Sequence, residues 1–287
     1  DKPFFLAVGM WKPHDPWEVP QKYFDMYPLE DIVLPQRKKD DLEDAFDHGR
    51  RRIMKWVLDN DQWKKIIQSY AASITFSDAM VGRILDAYEN AEHSDNTIVV
   101  LWSDHGMHMG EKDNIEKFTL WERSTRVPLL ISAPGMSLAG TVCDQPVSLM
   151  DLYPTLVELT GFEQPSHLDG NSLLPQLKDP NTITSPVISS YKFTNQKQGA
   201  IIGHAVRSMR YRYIYYPEIN FEELYDHEND PNEWDNIAYK DGNTQIIDEH
   251  RKVLLEMLPQ MTWKKDIPEG YTIDNNGKVR KEDFESF

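Results

Sequence analysis

A carboxylate and an imidazole stand side by side directly after an apolar run. The run Ile98-Val99-Val100-Leu101-Trp102 predicts a buried strand, and Ser103-Asp104-His105-Gly106 follows it. Ligands of open α/β sheets bind beyond the carboxyl ends of strands. Asp104 and His105 are therefore candidate metal ligands, with calcium or magnesium favoured by oxygen and zinc by imidazole. A turn with a capping aspartate is the structural alternative.

Two further side chains add groups that suit a bound anion. Lys117 lies in the loop after Gly110-Glu111, where an ammonium group can bond to anionic oxygens. His14 follows a second apolar run, residues 4–9, and an imidazole can donate a proton to a leaving oxygen. If both strands end at one edge of a sheet, these residues share a crevice with Asp104 and His105.

The elements that must position these residues are visible in the hydrophobic pattern. Apolar residues recur at steps of three and four from Trp63 to Tyr88, which predicts a long helix between the two apolar runs. Strand, helix and strand in this order predict a parallel crossover unit. Leu129-Leu130-Ile131-Ser132 predicts a third strand, and residues 151–159 predict a helix that ends before Gly161.

The pattern changes after about residue 185. Residues 205–207, 211–216 and 223–226 have the composition of short antiparallel strands, and Ile246 to Met257 has helical spacing. The sequence therefore predicts an α/β protein with two parts: residues 1–185 and a smaller α+β subdomain, residues 186–287.

Composition excludes several classes of partner. A formal net charge of -16 argues against nucleic acid or an anionic membrane as the main partner. No apolar run approaches the roughly 20 residues of a membrane helix. The single cysteine, Cys143, forms no intrachain disulfide, and we expect it to be buried as a small hydrophobic residue.

The chain begins directly before the apolar run of residues 4–9, with neither a methionine nor a signal peptide. We expect residue 1 to be an internal point of a longer protein. A complete small protein with a trimmed terminus is the alternative.

Taken together, these motifs resemble the sulfatase family, and iduronate-2-sulfatases within it. The resemblance covers most of the chain and depends on the set of motifs, because none of them is specific alone. It is carried by residues 2–9, Lys12-Pro13-His14, residues 69–73 and 81–85 with Asp78, residues 97–106, Gly110-Glu111, Lys117, residues 125–129, 146–148 and 151–156, Arg207, residues 211–213 and 223–226, and Asp230-Pro231.

The resemblance implies a fold and a site. The fold is that of the alkaline phosphatase superfamily, a large mixed sheet flanked by helices plus a small antiparallel sheet. Asp104 and His105 are implied as two Ca²⁺ ligands, and His14 and Lys117 as residues that contact the sulfate. Either His14 or Lys117 is implied as the proton donor to the leaving alcohol. The implied substrate is a sulfated sugar or polysaccharide.

The chain departs from the family pattern at the nucleophile. Sulfatases use a formylglycine made from Cys or Ser in a Cys/Ser-X-Pro/Ala-X-Arg motif, and Cys143 is followed by Asp144-Gln145-Pro146. No serine fits the motif either. We expect the nucleophile, two further acidic metal ligands and more of the sulfate pocket to precede residue 1, and this chain alone to be inactive.

Two other activities stay open. One is a phosphoesterase or phosphonate hydrolase of the same superfamily. The other is a catalytically inactive carbohydrate-binding relative, in which Trp11, Trp17 and Trp121 serve as binding residues or, more ordinarily, as packing residues. The sequence itself gives no location; a periplasmic, secreted or lysosomal protein is what the resemblance implies.

Overall fold

The computed structural model describes residues 2–47, 51–195, 199–259, 261, 271–273 and 279–281. The chain forms two compact units. The first consists of residues 1–36 and 53–97, and the second of residues 37–52 and 98–287. The boundary near residue 185 that the sequence suggests stays a prediction.

The first unit is helical. It contains α1 (Gln21–Phe24), most of α2 (Arg51–Asp59) and α3 (Trp63–Glu89), with short 3₁₀ helices at Leu29–Asp31 and Ser94–Asn96. The long helix predicted from Trp63 is thereby confirmed. α1 packs on α3 through an edge-to-face contact of Tyr23 and Phe76, whose ring centroids lie 5.5 Å apart.

Residues 4–9 do not form the strand that their composition predicts. They have no regular secondary structure, and the side chains of Phe5 and Leu6 are 85% and 73% exposed. An apolar run becomes a strand only when a neighbour pairs with its N–H and C=O groups, and no described strand pairs with this run. The prediction of a strand directly before His14 is therefore wrong for this structure.

The second unit begins with two short antiparallel pairs. β1 (Val99–Trp102) pairs with β4 (Leu129–Ser132), and β2 (His108–Met109) pairs with β3 (Ile115–Glu116). Both predicted strands, 98–102 and 129–132, are thus confirmed within a residue. The expected parallel crossover is wrong, because the described partner of β1 is the antiparallel β4.

Helices connect these strands to the rest of the unit. They are α4 (Glu122–Thr125), α5 (Leu152–Leu159) and α6 (Leu174–Lys178), with 3₁₀ helices at Glu111–Asp113, Leu149–Asp151 and Pro217–Ile219. Ser148 and Asp151 form a capping box before α5, and the chain turns after it at Gly161, whose φ is +74°. The predicted start and stop of this helix are confirmed.

A four-stranded antiparallel sheet forms the core of the second unit. Its order follows the chain: β5 (Val187–Asn195), β6 (Gly199–Arg207), β7 (Tyr211–Tyr216) and β8 (Phe221–Asp226). α7 (Thr244–Met257) follows, and β9 (Tyr271–Ile273) pairs with β10 (Val279–Lys281). The α/β class and the predicted C-terminal antiparallel sheet are confirmed.

Both faces of this sheet are covered. Alternate side chains of a strand point to opposite faces. Ile214 and Tyr216 pack with Phe46 and Trp121 on one face. On the other, Tyr213 and Tyr215 pack in a cluster with residues of α7. The long run of aromatic residues in β7 is explained by burial on both sides.

Two further predictions from the sequence concern the burial of Cys143 and the lack of a membrane-spanning helix. Cys143 is exposed, so its expected burial is wrong; it lies in a stretch without regular structure, where no packed face encloses it. Among the described residues, no helix is both long and apolar enough to cross a membrane.

Candidate functional site

Three of the predicted site residues lie together just beyond the end of β1. Lys117 Nζ is 2.8 Å from His105 Nε2, and His105 Nε2 is 3.8 Å from Asp104 Oδ1. The side chain of Asp104 is 84% exposed and that of His105 is 28% exposed. An ammonium group, an imidazole nitrogen and a carboxylate therefore converge on one solvent-accessible point.

The hydrogen bonds of His105 fix its tautomer. Its Nδ1 lies 2.8 Å from the carbonyl oxygen of Gly106, which can only accept, so Nδ1 carries the proton. Nε2 then presents a lone pair towards Lys117 and Asp104. Metal-binding histidines typically donate one ring N–H to a carbonyl in this manner while the other nitrogen binds the ion. The tautomer of His105 is therefore that of a ligand.

Calcium fits these residues only as part of a larger ligand set. Ca²⁺ takes six to eight ligands, almost all of them oxygen. Asp104 offers exposed carboxylate oxygens, and His105 offers one nitrogen. The donor chemistry suits two positions of a divalent-cation site, but these two residues are too few to complete a calcium site.

Gly106 allows this turn to approach the following helix closely. Its N–H donates to the Ser124 carbonyl at 2.8 Å. A Cβ at this position would lie 2.1 Å from the Arg123 carbonyl oxygen, so only glycine fits without a shift of the backbone. The turn with Asp104 and His105 is thus packed directly on α4.

Lys117 lies in a stretch of unusual backbone. Its neighbours Glu116 and Phe118 have φ values of 110° and 69°, and Lys112 and Asp113 have 54° and 47°. Non-glycine residues adopt positive φ at a cost and persist there only where surrounding contacts enforce it. This clustering of costly conformations is typical of functional loops.

His14 lies in the first unit, whereas Asp104, His105 and Lys117 lie in the second. Its Nδ1 is 2.8 Å from the Asp15 carbonyl oxygen and 3.0 Å from Asp15 Oδ1. The ring of Trp11 packs at 5.0 Å between centroids, and the Lys12-Pro13 and Asp15-Pro16 bonds are cis. The pocket expected to unite His14 with the other three residues stays a prediction.

Comparison with known proteins decides the family. The family model described as Sulfatase matches residues 1–162, more than half of the 287 residues. The chain belongs to the sulfatase family. A second family model, the N-sulphoglucosamine sulphohydrolase C-terminal region, matches residues 110–260 of this sulfatase.

Individual relatives agree with this assignment. A sulfatase of Formosa agariphila is 39% identical over 279 residues, which cover 94% of this chain and 52% of that protein. Human iduronate 2-sulfatase is 27% identical over 293 residues, with 77% and 53% covered. A solved 2-O GAG sulfatase superposes with a TM-score of 0.70 at 25% identity, over 84% of this chain and 57% of that one.

These findings confirm the resemblance to iduronate-2-sulfatase-like proteins and the predicted alkaline-phosphatase-like α/β fold. The described strands form antiparallel sheets of two and four strands, so the large mixed sheet stays a prediction. The chain spans about half the length of the curated relatives it matches.

The sulfatase also contains an acidic and basic cluster that the sequence did not reveal. Glu122, His227 and Glu233 place their potential ligand atoms within 4.8 Å of one another. Arg212 bonds to Glu122, and its Nε lies 2.7 Å from Glu233 Oε1. Arg207 Nε lies 3.2 Å from Glu122 Oε2. The members are too far apart in sequence for any short motif to mark them.

The contacts of this cluster are those of an ion-pair network, and its residues are different from the predicted metal ligands Asp104 and His105. Burial raises the pKa of Glu233, but the Arg212 guanidinium and the hydrogen bond from His227 outweigh it and bring the pKa to about 2. The same competition, with Arg212 and Arg207 as the cations, holds the pKa of Glu122 below its usual value. Both carboxylates therefore have a guanidinium partner, which is the arrangement of an ion-pair network.

Two further residues near Lys117 have structural roles. His108 is fully buried, with Nε2 2.8 Å from Thr119 Oγ1, and burial lowers its pKa to about 4. Lys112 is buried too, and its Nζ is 2.8 Å from Asp41 Oδ1. Both side chains hold in place the loop after Gly110-Glu111 that carries Lys117, called the Lys117 loop below.

Proposed function

We propose that this sulfatase is a sulfuric ester hydrolase that acts on a sulfated sugar or polysaccharide. The observation that carries the proposal is the group formed by Asp104, His105 and Lys117, with Lys117 Nζ 2.8 Å from His105 Nε2. Two compared proteins are named as a 2-O GAG sulfatase and an iduronate 2-sulfatase, which supports a sulfated carbohydrate as the substrate.

Each residue has a role that its chemistry supports. The Lys117 ammonium donates charge-assisted hydrogen bonds to sulfate oxygens. Asp104 and His105 would supply two ligands to Ca²⁺, and the charge of the ion would neutralise negative charge on the ester. His14 contributes a second sulfate contact, and either His14 or Lys117 protonates the leaving alcohol oxygen.

The nucleophile is not among these roles. No Cys or Ser of the 287 residues fits the formylglycine motif. We therefore propose that these residues bind and orient the ester, and that turnover needs a formylglycine from outside them. A periplasmic, secreted or lysosomal location is proposed with the family, as is the absence of nucleic-acid partners.

The test is binding of a 2-O-sulfated disaccharide to the purified chain, measured by calorimetry with and without Ca²⁺. Hydrogen bonds to a charged group contribute about 1.5–3 kcal/mol. Lys117→Met should therefore weaken binding roughly 10- to 100-fold. Lys178→Met removes an exposed lysine at the end of α6 and should leave binding unchanged.

Several outcomes would contradict the proposal. Equal affinity of the wild type and Lys117→Met would remove Lys117 from the site. Tighter binding of the matching sugar phosphate would favour the phosphoesterase alternative. Binding without any turnover once a formylglycine-containing segment is supplied would favour the inactive carbohydrate-binding relative. Sulfate release from an aryl sulfate by the 287-residue chain alone would overturn the expected inactivity.

A further inference from the structure

One buried arginine connects the four-stranded sheet to the segment after Lys117. Arg212 lies on β7, and its side chain is 3% exposed. Nη1 donates to the Leu120 carbonyl at 2.9 Å, Nη2 bonds to the Glu122 carboxylate, and Nε lies 2.7 Å from Glu233 Oε1. Two of these three groups belong to the segment that directly follows Lys117.

The same segment is hydrogen-bonded to the turn that contains Asp104 and His105. Glu122 begins α4, and its backbone N–H donates to Glu233 Oε2 at 2.9 Å. Ser124 of α4 accepts the Gly106 N–H at 2.8 Å. A continuous path of hydrogen bonds therefore runs from Arg212 through one short helix to the turn that holds His105.

Charge neutralisation alone does not explain this arrangement. Arg207 already lies 3.2 Å from Glu122 Oε2 and compensates its charge. Arg212 adds a bond to a neutral carbonyl, that of Leu120, which fixes a backbone position. The planar guanidinium holds the Leu120 carbonyl and the Glu122 carboxylate in fixed directions, while its Nε faces Glu233 as an ion pair. A lysine ammonium on a flexible stem cannot reproduce this arrangement.

We propose that Arg212 is a positioning residue for the site: it holds the Leu120–Glu122 segment and α4 so that Lys117 meets His105 Nε2. The roles of Lys117 and His105 in sulfate and metal binding rest on the proposed function. The contact that Arg212 enforces does not depend on turnover, and it can be measured without substrate.

The test follows the ¹⁵N resonance of His105 Nε2 in the full chain labelled with ¹⁵N-histidine. The chain has nine histidines, so a His105→Asn variant assigns the signal. Lys117→Met gives the reference shift for loss of the contact. Arg212→Met should move the Nε2 resonance to that reference value, and Arg212→Lys should move it in the same direction.

A matched control is available on α7, which packs against the same sheet. Arg251 of this helix is partly buried and, like Arg212, forms an ion pair with a glutamate: its Nη2 lies 2.6 Å from Glu222 Oε2. Arg251→Met should leave the His105 resonance at its wild-type position. A general loss of stability would affect both arginine variants alike.

The proposal is overturned if Arg212→Met keeps the wild-type Nε2 shift, or if Arg251→Met moves it equally. If Arg212→Met does not fold, as judged by circular dichroism, Arg212→Lys decides by the same criterion. If Arg212→Met moves the resonance while Lys117→Met leaves disaccharide binding unchanged, the proposed function fails and the positioning role stands.

Discussion

The buried carboxyl group of Glu223 makes the stability of this sulfatase depend on pH. Glu223 lies on β8 with no exposed surface. Its oxygens accept from the Phe46 N–H at 2.8 Å, from Trp121 Nε1 at 2.7 Å and from the Tyr225 hydroxyl at 2.8 Å. Burial raises the pKa of Glu223 to about 7, although these donors and Lys112 oppose the rise.

The size and sign of the effect follow from linkage. The ordinary pKa is 4.5, so the folded protein retains a proton between pH 4.5 and 7 that the unfolded chain has lost. The stabilising effect of that retained proton is complete below pH 4.5 and is lost as the pH rises to 7. A shift of this size corresponds to about 3 kcal/mol of unfolding free energy.

The assay is urea unfolding of the wild type and Glu223→Gln across pH 4.5 to 8. Other groups also titrate, so the informative quantity is the difference between the two proteins at each pH. The wild-type free energy of unfolding should fall relative to the variant by about 3 kcal/mol between pH 4.5 and 7, and the difference should be level above that. Glu158→Gln, at an exposed position on α5, is the control and should give a level difference throughout. A level difference for Glu223→Gln would refute the reasoning that burial outweighs its hydrogen bonds.

Two further substitutions test the packing around the Lys117 loop. Gly106→Ala places a Cβ 2.1 Å from the Arg123 carbonyl oxygen, so the turn must shift and the unfolding free energy should fall by about 1–3 kcal/mol with a loss of disaccharide binding. Gly82→Ala, where the new Cβ would have no atom within 4 Å apart from its chain neighbours and its own helix backbone, should not lower stability, and equal effects would contradict the packing argument. Lys112→Met leaves Asp41 buried without its ammonium partner and should lower the unfolding free energy by about 3–5 kcal/mol in urea titrations. Adding Asp41→Asn to that variant should recover part of the loss; no recovery would mean that the two side chains do not act as a pair.

Local patterns predicted the elements that depend on local information. The apolar residues that recur at steps of three and four from Trp63 predict α3, and the aromatic-rich run of residues 211–216 predicts β7. The turn after β1 is predicted because an apolar run is followed by Asp104 and His105, and the predicted Lys117 lies beside His105 in the structure. These features need no knowledge of what lies opposite them.

Features set by distant partners could not be predicted in the same way. Residues 4–9 carry a strand composition, but pairing decides whether a strand forms, and no described strand pairs with them. The direction of β1 relative to its neighbour likewise depends on which strand lies beside it, here β4. The network of Arg212, Glu122 and Glu233 joins segments up to 111 residues apart. Only the fold brings such groups together.

The order of the four-stranded sheet has a consequence for how the molecule assembles. Each of its strands pairs with the next one in the chain, so forming this meander closes only short loops. The segments that cover it come from much farther away: Phe46 reaches Glu223 across 177 residues, and Trp121 reaches it across 102. Closing these long loops costs more conformational entropy than closing the short loops of the sheet. The four-stranded sheet can therefore form early, and the loop that carries Lys117 packs on it late in folding.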